Sequence, residues 1–210
     1  MREQSGFGSI LRAILGFGSV SKYSMNRVKI PVCIVHGSDK EPNAKKKVAI
    51  CMNGSESTKS LHWVCQNVLD AEQVEIHIIS VAPKAPYDIV TEDSTSSHVL
   101  SNQEHDEDDR ELHELAEKSI DESLKIVLGY NVNQDGIIRK VLDPKEGSIN
   151  VAEAIKQYTE ENGIDLVCMG RRNLSLFRRI LDTLLGLGSV SDWCASHLKS
   201  SVLIVPDSDE

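Results

Sequence analysis

Several features that would place a chain in a familiar class are missing from this sequence. No apolar run approaches the ~20 residues that a membrane-spanning helix needs, and no secretory signal is recognisable. The five cysteines occur singly, without a CxxC pair or a Cys/His cluster at metal-ligand spacing. We therefore expect buried, reduced thiols in a cytoplasmic protein without a metal site, rather than a disulfide or zinc framework.

Basic residues are scarce outside the N-terminal part of the chain. The 210 residues carry a formal net charge of -9, but residues 1–47 hold nine Lys/Arg against three Asp/Glu, and residues 48–210 hold 14 against 29. The excess of acidic residues in 48–210 would repel the phosphate backbone of a nucleic acid. The sequence thus predicts binding to neither nucleic acid nor membranes.

What the sequence does contain is a gapless internal repeat. The motif GFGSVS at residues 16–21 reappears as GLGSVS 170 residues later. The same offset takes Val32 to Val202 and Ile34 to Ile204. Such regularity predicts one module that is present in full and a second that is present only as its tail.

The N-terminal segment has a second interpretation. Residues 1–36 carry five Lys/Arg, one acid and several serines, which is also typical of an organellar transit peptide. A transit peptide has no reason to copy the C-terminal strand of its own protein, so a folded repeat in a cytoplasmic protein is favoured over organellar import. We expect a partial repeat at 1–36, a linker at 37–46 and a full module at 47–207 with an acidic loop insertion at 82–110.

Buried strand patterns alternate with helical stripes along the full module. The strands are predicted at residues 48–52, 74–81, 137–142, 164–169 and 201–205. Helices are predicted between them, with Ser55, Ser148 and Ser189 as N-caps and Asn162-Gly163 closing the third. Eight acids between residues 104 and 117 indicate a solvated helix face and its entry, because they lack the EF-hand spacing of a calcium site. The alternation predicts a doubly wound parallel α/β sheet.

Glycines and polar residues follow two of these strands, and a Gly-Ser pair opens the last helix. In such sheets a ligand binds beyond the carboxyl ends of the strands, and the amides of a helix start favour an anion. We therefore predict a phosphate pocket, with a simple tight turn and N-cap as the alternative. Its candidate residues are Asn53, Gly54, Ser55, Gly170, Arg171, Arg172, Gly188, Ser189 and Val190.

The order of these motifs resembles the universal stress protein family over residues 47–206. The motifs that match the family are NGSE after the first strand, IISV in the second, a DP turn after the third, IDLVCMG-RR around the fourth, and GSVSDW followed by SSVLIVP. The resemblance implies a five-stranded, Rossmann-like parallel sheet in the order 3-2-1-4-5. Its switch point would lie between the first and fourth strands, where the pocket is predicted from the residues.

Family members that bind ATP share the motif G-x2-G-x9-G-[ST]. By resemblance, Gly170 is its first glycine, Gly188 and Ser189 are its final pair beside Val190, and Val81 makes a main-chain contact near the adenine. The resemblance thus implies ATP, with Mg²⁺, as the ligand.

The chain departs from that motif in three places. Asn173 stands at the second glycine, 14 residues rather than 9 separate it from Gly188, and Asn53 replaces an Asp. These departures keep a second function open, a nucleotide-free interaction module, beside a non-catalytic ATP-binding regulator of stress responses.

A slow ATP hydrolase is a third alternative, but no Ser/His/Asp set, Walker lysine or metal cluster is apparent, so we expect no enzyme. The family resemblance also implies a homodimer through fifth strands. The N-terminal copy of that strand, residues 30–36, would instead lie against residues 202–205 of the same chain as an internal pseudo-dimer.

Overall fold

A computed structural model of the protein describes residues 28–37, 45–53, 57–70, 74–82, 102–130, 132, 134–143, 151–171 and 190–206. The strands in these ranges are β1 (Val32–Ile34), β2 (Lys46–Met52), β3 (Val74–Val81), β4 (Ile137–Leu142), β5 (Leu166–Arg171) and β6 (Ser201–Pro206). The helices are α1 (Thr58–Asn67), α2 (Asn102–Leu128), α3 (Val151–Asn162) and α4 (Val190–His197), and a 3-10 turn (Gln134–Gly136) precedes β4.

The six strands form one sheet in the order β1-β6-β5-β2-β3-β4. The five strands from β2 to β6 run parallel to their neighbours, and β1 pairs antiparallel with β6. Within the module this is the predicted order 3-2-1-4-5, so the α/β doubly wound fold is confirmed. β1 adds a sixth strand at the β6 edge.

Helices cover both faces of the sheet. The first core lies between the sheet and the pair α1 and α2, where Ile50, Leu61 and Ile78 are almost fully buried. The second core lies beneath α3 and α4 and contains Ala49 and Cys194 among others. Because side chains alternate along a strand, β2 contributes Val48 and Ile50 to the first core and Ala49 to the second. β2 thus has two apolar faces, as its continuous apolar run predicts, whereas the edge strand β4 is largely exposed.

Several predicted boundaries need correction. β2 begins at Lys46 rather than at residue 48, β5 ends at Arg171 rather than at residue 169, and β6 ends at Pro206 rather than at residue 205. β5 begins at Leu166 rather than at residue 164, because Asp165 makes different contacts. The Asp165 amide donates to the Lys47 carbonyl at 2.9 Å, and the Asp165 carboxylate accepts the Lys47 amide at 2.9 Å. The N-cap of α1 is Ser57 and not Ser55, since α1 begins at Thr58.

The acidic segment is also more ordered than its composition indicated. α2 begins at Asn102, so residues 102–110, predicted within a loop insertion, are helical. No helix among the described residues is long and apolar enough to cross a membrane.

The end of α3 follows the predicted pattern. Gly163 comes directly after α3 with a φ of 61°, a left-handed conformation that glycine adopts without strain. The predicted cap Ser148 lies outside the described residues. Among the cysteines, Cys65, Cys168 and Cys194 are buried and free as expected, whereas Cys33 is free but exposed, which contradicts the expectation of burial.

Candidate functional site

The helices that follow β2 and β5 lie on opposite faces of the sheet. α1 follows β2 and packs on the first core through Leu61 and Val64. α4 follows β5 and packs on the second core through Cys194 and Ala195. Because β2 and β5 are adjacent in the sheet and the helices that follow them lie on opposite faces, their carboxyl ends are the kind of place where open α/β sheets bind ligands. We call this place the β2/β5 switch point.

Predicted site residues from three neighbouring strands are level with one another there. Asn53 directly follows β2 and is exposed. The register of β2 with β3 pairs Met52 with Ser80, and one further step brings Asn53 level with Val81. The register of β2 with β5 likewise brings Asn53 level with Arg171. The fold therefore places Asn53, Val81 and Arg171 side by side at one edge.

Two serines at the start of α1 make hydrogen bonds beside the end of β2. The Asn53 backbone amide donates to Ser57 Oγ at 3.2 Å, and the Ser57 side chain makes no capping bond to the α1 backbone. The Ser60 hydroxyl in turn donates to the Ser57 carbonyl at 2.7 Å. Ser57 and Ser60 are both buried. The bond from its amide to Ser57 fixes the backbone of Asn53 at the β2/β5 switch point.

Gly170 lies in β5 against this first turn of α1. A Cβ atom at position 170 would lie 3.4 Å from Ser60 Cβ but only 2.8 Å from Ser60 Oγ, which is closer than real Cβ contacts. A side chain at position 170 would therefore displace the Ser60 hydroxyl from its bond to the Ser57 carbonyl, so helix-strand packing favours glycine whether or not a ligand approaches its backbone.

Val190, the first residue of α4, belongs to the same edge. The Ser201 amide donates to the Asp165 carbonyl, so the segment after α4 lies at the amino end of β5 and the start of α4 points to the carboxyl end. The remaining predicted residues lie outside the described ranges: Gly54, Ser55, Arg172, Asn173, Gly188 and Ser189.

A cavity of about 400 Å³ lies elsewhere, along β4 and α3. Its lining residues are Lys140, Val141, Leu142, Asp143, Glu153, Ala154, Gln157, Tyr158 and Glu161. None of them is a predicted site residue, and β3 separates β4 from the switch point. In the described part of the chain no group of three or more His, Cys, Asp or Glu is arranged to hold a metal ion.

Next to this cavity the sheet contains a buried polar network that sequence reasoning missed. His77 in β3 is only 1% exposed, and its two ring nitrogens lie 2.8 Å from Tyr158 Oη and 2.9 Å from Glu75 Oε1. Because a carboxylate only accepts, Nε2 donates to Glu75 and Nδ1 accepts the Tyr158 hydroxyl hydrogen. The network joins β3 to α3 and satisfies the imidazole inside the second core.

A lysine pairs with the carboxylate of this network, and the interactions within it shift the pKa values of Glu75 and Tyr158. Lys47 Nζ lies 3.1 Å from Glu75 Oε1, across the register that pairs β2 with β3. The hydrogen bonds from His77 and then Lys47 lower the pKa of Glu75 below its ordinary value of 4.5. Burial, followed by the nearby Glu75 charge, raises the pKa of Tyr158. The sequence signal was present: Glu75 and His77 alternate onto one strand face inside an apolar run.

Comparison with known protein families gives a match over most of the chain. The model described as the Universal stress protein family matches residues 45–206. A comparison with curated proteins finds no significant match.

Solved structures show the same fold at low sequence identity. A universal stress protein in complex with cAMP is 20% identical with a TM-score of 0.51, covering 79% of this chain and 99% of that one. A universal stress protein from Archaeoglobus fulgidus DSM 4304 is 16% identical with a TM-score of 0.56, covering 95% of this chain and 57% of that one. A family protein from Burkholderia pseudomallei is 14% identical with a TM-score of 0.52, covering 77% and 96%.

Proposed function

Because the chain belongs to the universal stress protein family, we propose that it is an adenine-nucleotide-binding regulatory module that works without catalysing a reaction. The observation that carries this proposal is the divergence of α1 and α4 at the carboxyl ends of β2 and β5, with Asn53, Val81 and Arg171 level at that edge. One solved universal stress protein is in complex with cAMP, an adenine nucleotide. We infer that this chain takes the same class of ligand.

The chemistry of the edge suits the two ends of such a ligand. Asn53 is exposed, and its side-chain amide can donate a hydrogen bond to an adenine or ribose and accept one from it without adding a charge. The backbone amides at the start of α4 and the basic Arg171-Arg172 pair favour the phosphates. We propose ATP with Mg²⁺ as the physiological ligand.

The test is titration of the purified chain with ATP and Mg²⁺ by calorimetry, together with an assay of the denatured protein for co-purified nucleotide. Asn53→Ala is expected to weaken ATP binding about fivefold, the cost of one hydrogen bond of about 1 kcal/mol. Asn67→Ala is a matched control, because Asn67 is exposed at the far end of α1 and its side-chain amide donates to the Trp63 carbonyl. Gly188→Trp is expected to abolish binding by filling the predicted phosphate position.

Equal loss of affinity in Asn53→Ala and Asn67→Ala would contradict binding at the β2/β5 switch point. Binding that survives Gly188→Trp would place the phosphates elsewhere. ATP binding without release of inorganic phosphate over hours would agree with a non-catalytic module, whereas release that depends on the bound nucleotide would favour an ATP hydrolase.

A nucleotide-free interaction module is the second candidate. It is favoured by the close approach of Gly170 to Ser60, which explains a glycine at position 170 without a bound phosphate. Under this alternative, neither titration nor the assay of denatured protein would detect a nucleotide.

We propose the cytoplasm as the compartment of this protein. The buried thiols of Cys65, Cys168 and Cys194 are free, as is common in a reducing environment. Expression of the whole chain with a C-terminal tag, followed by cell fractionation, tests this proposal. Recovery of a shortened chain inside an organelle would favour the transit-peptide interpretation of residues 1–36.

A further inference from the structure

The cavity along β4 and α3 lies at an edge of the sheet. β4 is the last strand in the order of the described strands, and α3 lies over the face beside it. α3 contributes five of the nine described lining residues, at positions 153, 154, 157, 158 and 161, and this spacing places them along one side of the helix. The volume of about 400 Å³ is in the range of small-molecule sites in proteins.

The charged residues of this cavity are mostly acidic. Asp143, Glu153 and Glu161 carry carboxylates, and Lys140 carries the one ammonium group among the described lining residues. The Asp143 carboxylate also lies 3.9 Å from His113 Nε2 on α2. The excess of negative charge favours a cationic ligand and opposes a phosphate.

Tyr158 can offer a ligand in this cavity only a hydrogen-bond acceptor. Its hydroxyl hydrogen is donated to His77 Nδ1 at 2.8 Å, because Nε2 of the same ring donates to Glu75. His77 is 1% exposed, so the direction of these bonds is set inside the protein. Burial, followed by the nearby Glu75 charge, raises the pKa of Tyr158, and the hydroxyl keeps its hydrogen at neutral pH. The remaining lone pair of Tyr158 Oη suits an N–H donor.

The two acids of α3 are spaced along the cavity. Glu153 and Glu161 are eight residues apart, which is about 12 Å along a helix. Gln157, midway between them, donates its side-chain amide to Glu161 Oε1 at 2.6 Å and holds that carboxylate beside the helix. Leu142 and Ala154 add an apolar part to the lining, and both pack in the second core. Two cationic ends joined by a methylene chain match this pattern.

We propose that the cavity between β4 and α3 binds a linear aliphatic triamine. One terminal ammonium group pairs with Glu153 and the other with Glu161. The inner ammonium group donates to Tyr158 Oη, since position 158 lies between the two acids on the same side of α3. The proposal is independent of nucleotide binding, because β3 separates β4 from the β2/β5 switch point.

The test is calorimetric titration of the purified chain with spermidine, a linear triamine. Nucleotide is removed first, because polyamines attract its phosphates directly. Saturable binding of one spermidine per chain is expected. Butylamine, which has a single ammonium group, should bind at least about tenfold more weakly, the equivalent of one hydrogen bond to a charged group. No saturation by about 1 mM spermidine, or equal affinity for the two amines, would overturn the proposal.

Glu161→Gln separates the cavity from the general charge of the chain. It is expected to weaken spermidine binding about fivefold, the upper range for an exposed ion pair. Glu160→Gln is the matched control, because Glu160 lies on the same helix and pairs with Lys199 at 3.3 Å outside the cavity. The two variants change the net charge equally, and Glu160→Gln should alter the affinity less than about twofold. Equal losses in both would reduce the binding to surface charge and overturn the proposal.

Tyr158→Phe tests the acceptor oxygen. It is expected to weaken spermidine binding about tenfold, and full affinity in a folded Tyr158→Phe chain would overturn the proposal. Glu161 is exposed, so Glu161→Gln covers the case in which Tyr158→Phe does not fold. An acetylated dilysine peptide amide carries the same ammonium chemistry on a polypeptide. If it bound more tightly than spermidine, the cavity would belong to lysine side chains of another protein, and the proposal of a free triamine would be wrong.

Discussion

Gly170 and Ser60 lie so close together that a single Cβ atom at position 170 would be 2.8 Å from Ser60 Oγ. The first turn of α1 thus lies close against β5, next to the edge where the predicted ligand would bind. The glycine thus has a packing role that does not depend on any ligand.

Gly170→Ala is expected to destabilise the fold by about 1–3 kcal/mol, the usual cost of overpacking. In a Ser60→Ala background the additional cost should fall by about half or more, because the nearest atom to the new Cβ is then absent. Urea unfolding of the wild-type chain, both single variants and the double variant measures this coupling. Equal costs in both backgrounds would contradict the steric explanation.

Tyr158→Phe removes one hydrogen bond from His77 inside the second core. Because the imidazole is 1% exposed, Nδ1 would be left without its partner, and we expect a loss of about 1–3 kcal/mol in the free energy of unfolding. Tyr130→Phe is the control, since the Tyr130 hydroxyl bonds to His62 at an exposed site and its loss should cost less than about 1 kcal/mol. Similar losses in both variants would argue against a buried network.

Glu75→Gln tests the pH dependence of this network. The folded-state pKa of Glu75 lies below its ordinary value of 4.5, so the ionised group contributes stability above the unfolded-state pKa and loses it as pH falls through the folded-state pKa. We expect the variant to be less stable by up to about 1 kcal/mol at pH 7, since the side chain is partly exposed.

The difference between the wild-type chain and Glu75→Gln should disappear as pH falls through the folded-state pKa. Urea unfolding at a series of pH values from 7 downward measures it. A difference that persists undiminished in acid would show that shape and hydrogen bonding, rather than charge, set the effect of this residue.

We expect the rate at which each cysteine is alkylated to depend on the burial of its thiol. Cys33 is exposed, whereas burial raises the pKa of Cys65 to about 11 and that of Cys194 to about 12. At pH 8 an excess of iodoacetamide should modify Cys33 at least tenfold faster than Cys65 or Cys194. Peptide mass spectrometry of the native and the urea-unfolded chain identifies the modified sites, and rapid native labelling of Cys194 would contradict the described packing.

Sequence patterns predicted the parallel strands well because each is rich in β-branched and other apolar residues and is bounded by polar segments. The bounds of β3 and β4 were predicted correctly, but Ile164-Asp165 was included in β5 since nothing in the sequence shows that Asp165 bonds to Lys47. The start of α2 was missed because its acidic residues carry no apolar stripe, and helical propensity alone is a weak guide.

The candidate site was predictable only as a position in the topology. Strand order follows from alternation and family resemblance, which together place Asn53 and Gly170 at one edge. The close approach of Gly170 to Ser60 and the partners of His77 depend on side-chain distances across elements, which no local pattern contains. These contacts of Gly170 and His77 could be identified only from the structure.

The closure of the β6 edge by β1 also sets an order of folding events. β1 is synthesised before the other described strands and β6 after them, and 165 residues separate His36 from Ser201. Because contacts between such distant segments carry a large loop-closure cost, we expect β1 to pair only after the parallel sheet has assembled. During that interval both β1 and the edge of β6 can pair with a neighbouring nascent chain, and rapid refolding at low protein concentration should give the highest yield of correctly closed molecules.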